Sequence, residues 1–462
     1  MTNWILENVL FPSGDAILQT SFVPALKRWR EVSMYDERSL SALQSGNLKA
    51  LLLYLSENNR YYRNLLPDVS KFRNEDPVVV LKSLPVLDKE IIRNHLDDLV
   101  SDPFVKNKHK LILEKSSGSS GVQGSVYMSR TEAYNVSAAQ THLWEWAGYR
   151  LGSELLQLGM TTDRGLIKTL KDYFSNTTYK PAFQIDSDDV KQTLAKFENR
   201  DDVFFGGYAS GLYAYATIAE QFGLKTKFKS VISWGDKMFP HYRRKIERTF
   251  STTVFDTYGC TEGIMIGGQC ELGTYHVLSP HVYLELLDDD NREVRPGHIG
   301  KVVVTRLDGR SFPLVRYRLG DLATRPERQE PCRCGRHYPQ LFMIVGRDTD
   351  IVITPKGKPL IVHFFTGIFE HEQDIKQFRI TQHENRDLLV EYITDKEDHD
   401  SVLDRLRERM NYNSGEVLPL SFKRVSSIPA TKSGKPQIVL SLLKNQFIPD
   451  RPGVHTSAAQ HP

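Results

Sequence analysis

Five short stretches hold residues of the types that phosphoryl and carboxylate chemistry needs. The first is SSGSSG, that is Ser116, Ser117, Gly118, Ser119, Ser120 and Gly121, set between the strand-like runs HKLILE and VYMS. A glycine-rich turn can adopt positive φ and point several backbone N–H groups at one spot, so it can close around phosphate oxygens, and serine hydroxyls add donors. No lysine follows Gly121 or Gly124, which excludes a Walker loop; taken alone, the stretch reads first as a plain turn or linker. The second is DTYGCTEG, residues 256–263. Thr261 offers a hydroxyl to a phosphate oxygen, Glu262 a hard carboxylate to Mg2+, and Tyr258 a ring for a base, against the plainer reading of a buried tyrosine and a surface glutamate. The third is VRYRLGDLA, where Asp321 at a glycine turn can accept two ribose hydroxyls or merely close an Asx turn. In VGRDTDIVITPKGK, Arg347 follows a glycine and is either a hinge or a surface arginine; in PATKSGKPQIV, Lys435 sits in a Ser-Gly turn where most lysines are solvated and idle.

The cysteines suggest a separate function. Cys260, Cys270, Cys332 and Cys334 are the only four, too few and too clustered for a disulfide scaffold. CELGTYH sets Cys270 six residues before His276, and CRCGRH sets Cys332 two before Cys334, with a glycine for a tight turn. Cys270, His276, Cys332 and Cys334 make a Cys3His set suited to structural zinc; the alternative is reduced, buried cysteines and a surface histidine.

The elements that must position these residues can be read from the pattern around them. A chain of 462 residues exceeds one comfortable core, so two or more domains are expected. The composition, 40% apolar and 25% charged with net charge +3, is that of an ordinary water-soluble protein without the basic block of a dedicated nucleic-acid binder. Its apolar runs are too short to cross a bilayer, and its N-terminus lacks the basic region of a signal peptide, so no membrane contact and a cytoplasmic location are expected. Residues 38–66 read as a helix, with Leu48, Leu51, Leu52 and Leu55 on one stripe and Pro67 as its stop. Asp88 reads as the N-cap of a short helix. From 132 to 222 strand and helix alternate, as in DVFFGGYASGLYAYATIAEQFG, and SVISWGD with PHYRRKIERTF repeats the unit of a parallel sheet. After residue 275 shorter alternating runs suggest an antiparallel barrel or sheet, and from about 350 the order of elements reads as a compact α+β domain. The tail, residues 451–462, has little to bury and is expected to be disordered.

In this fixed order the five motifs resemble those of the adenylate-forming superfamily of acyl-CoA synthetases, especially its phenylacetate–CoA ligase-like and CapK-like branch. The resemblance covers residues 40 to 445: SSGSSG matches the phosphate loop, YGCTEG the Tyr-Gly-x-Thr-Glu motif, YRLGD the Tyr-Arg-x-Gly-Asp motif, GRDTD the hinge and SGK the catalytic lysine. Gln123-Gly124 replaces the usual Pro-Lys after the phosphate loop, and ITPKGKPL after the hinge is closer to CapK-like proteins than to phenylacetate ligases.

The resemblance implies an α/β fold. Residues 1–347 would form a large domain of parallel α/β subdomains plus a small β-barrel-like part, and 348–450 a small mobile α+β domain carrying Lys435. It implies carboxylate activation through an acyl-adenylate with release of pyrophosphate, then acyl transfer to a thiol, normally that of coenzyme A. The alternatives are transfer to an amine or to the thiol of a separate carrier protein, and, in another class, a non-catalytic nucleotide-binding protein, against which the retention of Lys435, Glu262 and Asp321 together argues. ATP, Mg2+ and coenzyme A would be the cofactors, with structural Zn2+ on the Cys3His set. Lys435 would bridge the substrate carboxylate and the α-phosphate, Thr261 meet the α-phosphate, Glu262 hold Mg2+, Tyr258 meet the adenine face with Gly259 beside it among the ATP-binding residues, Asp321 bind the ribose diol and Arg347 assist at the ribose or phosphate. Gly235 and Asp236 fall where the family lines the adenine pocket, and Cys260 at the motif's variable position is read as packing. The hinge position is Thr349, flanked by Asp348 and Asp350. Trp144, Trp146, Phe204, Phe205, Tyr208 and Trp234 are candidates for an aromatic acyl pocket or for core. The expected partner is a small carboxylic acid, with an aromatic acid as one option, and the protein itself a monomer or homodimer.

Overall fold

The computed structural model describes residues 3–18, 20–68, 73–115, 125–160, 165–182, 185–341, 343–347, 351–357, 359–369, 372, 374–397, 399–429 and 437–443. The loop Ser116–Gly121 with Gln123 and Gly124, the hinge residues Asp348, Thr349 and Asp350, Lys435 and the tail 451–462 lie outside the described residues.

The leucine stripe forms the long helix α1 (Glu37–Asn58), capped by the Asp36 carboxylate on the Ser39 N–H, with Leu48, Leu51, Leu52 and Leu55 buried. The helix stops earlier than the stripe predicts. Asn59 adopts an extended backbone, and its side chain accepts from Tyr62 N–H to start a new turn, Arg60–Arg63; its amide also donates to Leu99 O and Ser101 Oγ. A capping side chain with long-range partners thus ends α1 eight residues before Pro67 does. Asp88 caps Lys89–Asn94 as expected.

A hairpin follows, β1 (Ile112–Lys115) and β2 (Ser125–Met128), antiparallel from Ile112↔Met128 to Lys115↔Ser125, so it brackets residues 116–124. The next helix, α2 (Arg130–Trp146), starts at a capping box between Ser129 and Glu132. Alternating strand and helix then build the large sheet: β3 (Leu155–Gly159), β4 (Thr177–Pro181), β5 (Phe204–Tyr208), α3 (Ala209–Gln221), β6 (Ser230–Trp234), α4 (Pro240–Phe250), β7 (Val254–Cys260), β8 (Ile264–Gln269) and β9 (Tyr275–Val277). Strands β3 to β7 pair in parallel, and the sheet turns antiparallel at β7–β8. With β13 (Gln340–Leu341) it has eight strands in the order β13-β9-β8-β7-β6-β5-β3-β4.

The alternating segments after 275 form a four-stranded antiparallel sheet, β10 (Val282–Leu287), β11 (Ile299–Arg306), β12 (Tyr317–Thr324) and β14 (Met343–Arg347). One apolar cluster joins the α1 leucines to this sheet and to Tyr258, Ile264 and Ile266 of the large one, so both sheets pack on a shared core. The C-terminal part holds the hairpin β15 (Ile351–Ile353) and β16 (Pro359–Ile361), α5 (Val362–Phe369), β17 (Gln377–Gln382), β18 (Leu388–Ile393), α6 (Asp400–Ser414), β19 (Leu420–Arg424) and β20 (Val439–Ser441), with a sheet in the order β19-β18-β17-β20. Among the described residues, no helix is long and apolar enough to cross a membrane.

Candidate active site

The turn between β7 and β8 carries Thr261, Glu262 and Gly263. Gly263 has φ +78°, and a Cβ there would lie 2.7 Å from Met128 Cε. Only glycine lets the turn approach β2 this closely, and the approach sets the turn against the foot of the hairpin that brackets 116–124. Thr261 is exposed and Glu262 buried. The Tyr317 hydroxyl donates to Glu262 Oε1 at 2.9 Å, and Thr261 Oγ1 donates to Oε2 at 3.3 Å.

Tyr317 is itself held by its neighbour. Arg316 has φ +51°, an unusual conformation for a side-chain-bearing residue. Its guanidinium meets Glu285 through Nε–Oε2 at 3.1 Å and Nη2–Oε1 at 2.9 Å, and donates to the Lys82 and Leu84 carbonyls. Glu285 is 1% exposed; burial pushes its carboxyl up, and Arg316 opposes the shift. The bidentate pair fixes the backbone that aims Tyr317 at Glu262.

Four residues beyond Tyr317 on β12, Asp321 accepts through Oδ2 from the Tyr258 hydroxyl at 2.9 Å. In the β12–β14 ladder Asp321 stands opposite Arg347, so Tyr258, Asp321 and the Arg347 backbone meet at one place. Gly259, beside them, is exposed. Gly235 has φ +81°, and a Cβ there would lie 2.3 Å from Tyr208 Cε1. The Asp236 carboxylate accepts from the Ala209 and Ser210 N–H groups and the Ser210 hydroxyl, which caps α3 and fixes the loop after β6 to the end of β5.

Several structuring residues escaped the sequence reading. Asp256, inside the motif, accepts from the Ser233 and Tyr275 hydroxyls, and burial pushes its carboxyl up. Glu132 accepts from Ser129, from the Arg310 and Ser311 N–H groups and from the Ser311 hydroxyl. Burial alone would raise its pKa, but the nearby Arg306 charge and these hydrogen bonds outweigh burial and lower it. Asp256 stood inside a quoted motif without a role of its own; Glu285 and Glu132 gave no signal beyond one carboxylate in an apolar or helical run.

The aromatic candidates divide. Phe204, Phe205 and Trp146 are buried in core clusters. Trp144 stacks on Trp234 at 5.2 Å, and Trp234 lies so close over Gly206 that a Cβ there would meet its ring at 2.8 Å. Trp234 and Tyr208 are half-buried where β6 and β5 end. Burial, then Glu262, pushes the Cys260 thiol well up, in keeping with packing.

The ligand atoms of Cys270, His276, Cys332 and Cys334 all lie within 4.8 Å of one another. Cys270 Sγ is 3.9 Å from Cys332 Sγ, and Cys334 Sγ is 3.3 Å from His276 Nε2. Metal arms of about 2.3 Å to sulfur and about 2.0 Å to nitrogen give tetrahedral edges of roughly 3.5–3.8 Å, so the donor set fits zinc. His276 Nδ1–H donates to the Tyr338 carbonyl at 3.2 Å, which turns Nε2 inward as metal-binding histidines require. The Arg336 N–H donates to Cys334 Sγ at 3.5 Å. This cluster pins residues 332–340 to β9, whose Tyr275 holds Asp256.

A family model described as the CapK C-terminal domain matches residues 352–441. Protein CapK of Staphylococcus aureus is 21% identical over 431 residues, spanning 91% of this chain and 92% of its own. A phenylacetate-coenzyme A ligase of Thermus thermophilus is 23% identical over 471 residues, spanning 90% of this chain and 99% of its own. Among solved structures, 2-hydroxyisobutyryl-CoA ligase in the postadenylation state with 2-HIB-AMP superposes with a TM-score of 0.70 at 19% identity, covering 88% of this chain and 90% of that one. The same ligase in its thioesterification state scores 0.55 at the same 88% coverage of this chain. The two scores belong to two states of one enzyme. Residues 352–441 thus match the CapK C-terminal domain, and over about nine-tenths of its length the chain is similar to Protein CapK and to a phenylacetate-coenzyme A ligase, with the fold of an acyl-CoA ligase.

Proposed function

We propose that the chain activates a carboxylic acid with ATP and passes the acyl group to the thiol of coenzyme A. The observation that carries this reading is the meeting of Glu262 under Tyr317 and Asp321 under Tyr258, with Arg347 opposite, where the parallel sheet gives way to the antiparallel one. In the first step a carboxylate oxygen attacks the α-phosphorus, the bond to the bridging oxygen breaks, and pyrophosphate leaves with that electron pair. In the second step the sulfur attacks the acyl carbonyl, AMP leaves and the thiol proton passes to solvent. The first step joins two anions, so positioning and charge neutralisation supply most of the catalysis.

Asp321 would take the ribose diol and Tyr258 the adenine face. Thr261 and the N–H groups of Ser116–Gly121 would take phosphate oxygens. Gly235 and Asp236 would border the adenine through their backbone, since the Asp236 carboxylate already caps α3. Glu262, a buried hard donor aimed by Tyr317, suits one carboxylate ligand of Mg2+ completed by substrate phosphates; when bound, the ion supplies charge neutralisation there. Lys435 would bring a point charge from residues 348–450, read as a small mobile domain against a large domain of 1–347. Trp144, Trp234 and Tyr208 would meet the acyl group, which favours an aromatic acid. Cys270, His276, Cys332 and Cys334 would hold a structural zinc ion. We place the reaction in the cytoplasm, with the protein a monomer or homodimer.

The test is pyrophosphate release with Mg-ATP across a panel of carboxylic acids, with and without coenzyme A. Release that needs one acid and rises with coenzyme A is expected. Release that rises only with an amine or with a carrier protein bearing a free thiol replaces the acceptor, and ATP binding without release for any acid overturns the enzyme reading.

A further inference from the structure

Three residues beyond the Gly235–Asp236 loop, Phe239 leaves its own layer. It is 7% exposed, and it shares one contiguous apolar cluster with Val352, Leu360, Phe365, Ile380 and Leu406. Every other buried member of that cluster comes from the C-terminal part, between Val352 and Val439. Phe239 is the N-cap residue of α4, so its backbone belongs to the large sheet's layer while its ring stands in the core of the other unit. The post is braced. Tyr242 meets the Phe239 ring edge-on at 5.2 Å and stacks on Tyr213 of α3 at 4.2 Å. The loop before it is tied down as well: Asp236 caps α3, and Lys237 donates to the Val345 carbonyl on β14.

We propose that Phe239 is a positioning residue that holds the C-terminal unit in the arrangement for the first half-reaction and leaves that unit's core for the second. This rests on the two-step reading above. Phe239 is docked in the present arrangement. Because Phe239 and the Gly235–Asp236 loop are one stretch of chain, a nucleotide that orders the loop also steadies the post. Among the described residues Phe239 is the buried member of that cluster from outside the C-terminal part, with Tyr242 packed at its edge, a contact small enough to bias the arrangement without locking it.

The experiment is solution X-ray scattering of the full chain with Mg-ATP, for the natural protein, Phe239→Ala and Phe239→Leu. The expected result is a larger radius of gyration for Phe239→Ala and a smaller but measurable expansion for Phe239→Leu. If circular dichroism finds the alanine variant unfolded, Phe239→Leu decides by the same criterion: any expansion supports docking. A scattering curve from the folded variant that superposes on the natural one overturns the proposal. With an acid that supports pyrophosphate release, Phe239→Ala should slow that release about tenfold and leave thioester formation from supplied acyl-adenylate within about twofold. Equal slowing of both halves also overturns it. Should no acid support release, the two-step reading fails, while scattering still decides whether Phe239 docks the units.

Discussion

Glu262 presents each of its carboxylate oxygens to a hydroxyl, Oε1 to Tyr317 and Oε2 to Thr261. Tyr317→Phe keeps the ring's packing and removes one donor from a buried carboxylate. It should cost roughly 1–3 kcal/mol of stability, read as a lowered melting temperature. It should also raise the Mg2+ concentration needed for half-maximal pyrophosphate release, with ATP saturating; an unchanged Mg2+ curve would detach Glu262 from the metal. Gly235 makes a backbone demand instead. At φ +81° and with Tyr208 Cε1 only 2.3 Å from any added Cβ, Gly235→Ala should destabilise by roughly 1–3 kcal/mol and weaken nucleotide binding, which isothermal titration with Mg-ATP would read.

At the scale of elements, the cysteine cluster and the Glu132 network each join chain segments that are far apart in sequence. Protein purified without chelator should carry about one zinc per chain, because a closed four-ligand site holds its metal tightly. Cys332→Ser should lose the metal and lower the melting temperature, and metal analysis showing a folded, zinc-free natural protein would refute the site. Glu132 ties the start of α2 to residues 310–311, and its folded pKa is lowered. A lowered carboxyl pKa means the unfolded state binds the proton more readily. Its contribution is therefore complete above the free value of about 4.3 and is lost as pH falls from there toward the folded value. Glu132→Gln should lower stability at neutral pH and flatten the dependence on acid, as denaturation midpoints between neutral pH and about pH 3 would record.

For the whole molecule, the distribution of roles over two units sets the prediction. Of the groups read as binding nucleotide, Asp321 and Glu262 are held by Tyr258 and Tyr317 of one core, while Lys435, the cation read as driving the first step, is read as part of the separate unit 348–450. Lys435→Ala should therefore leave ATP affinity within about twofold and cut acyl-adenylate formation about a hundredfold or more, the scale of losing one charge-stabilising donor. Quench-flow measurement of adenylate would check it, and full adenylation by the variant would remove Lys435 from the mechanism.

The sequence by itself determined whatever depends on near neighbours. The α1 leucine stripe, the Asp88 cap, the strand–helix alternation, the motif order and the Cys3His spacing were all legible, because periodicity and turn chemistry act over a few residues. The loop Ser116–Gly121 and Lys435 still rest on that level alone. Tertiary structure decided the rest, because sheet register and packing bring together residues with no local sign of each other. Tyr317 meets Glu262 across 55 positions and Ser311 meets Glu132 across 179. Arg316, a plain motif neighbour in sequence, becomes the anchor of Tyr317 only once β10 sets Glu285 beside it. Asn59 ends α1 before the leucine pattern fades because its amide finds Leu99 and Ser101. Phe239, one aromatic among many in the sequence, joins the core of another unit only because the fold sets the start of α4 against the C-terminal part.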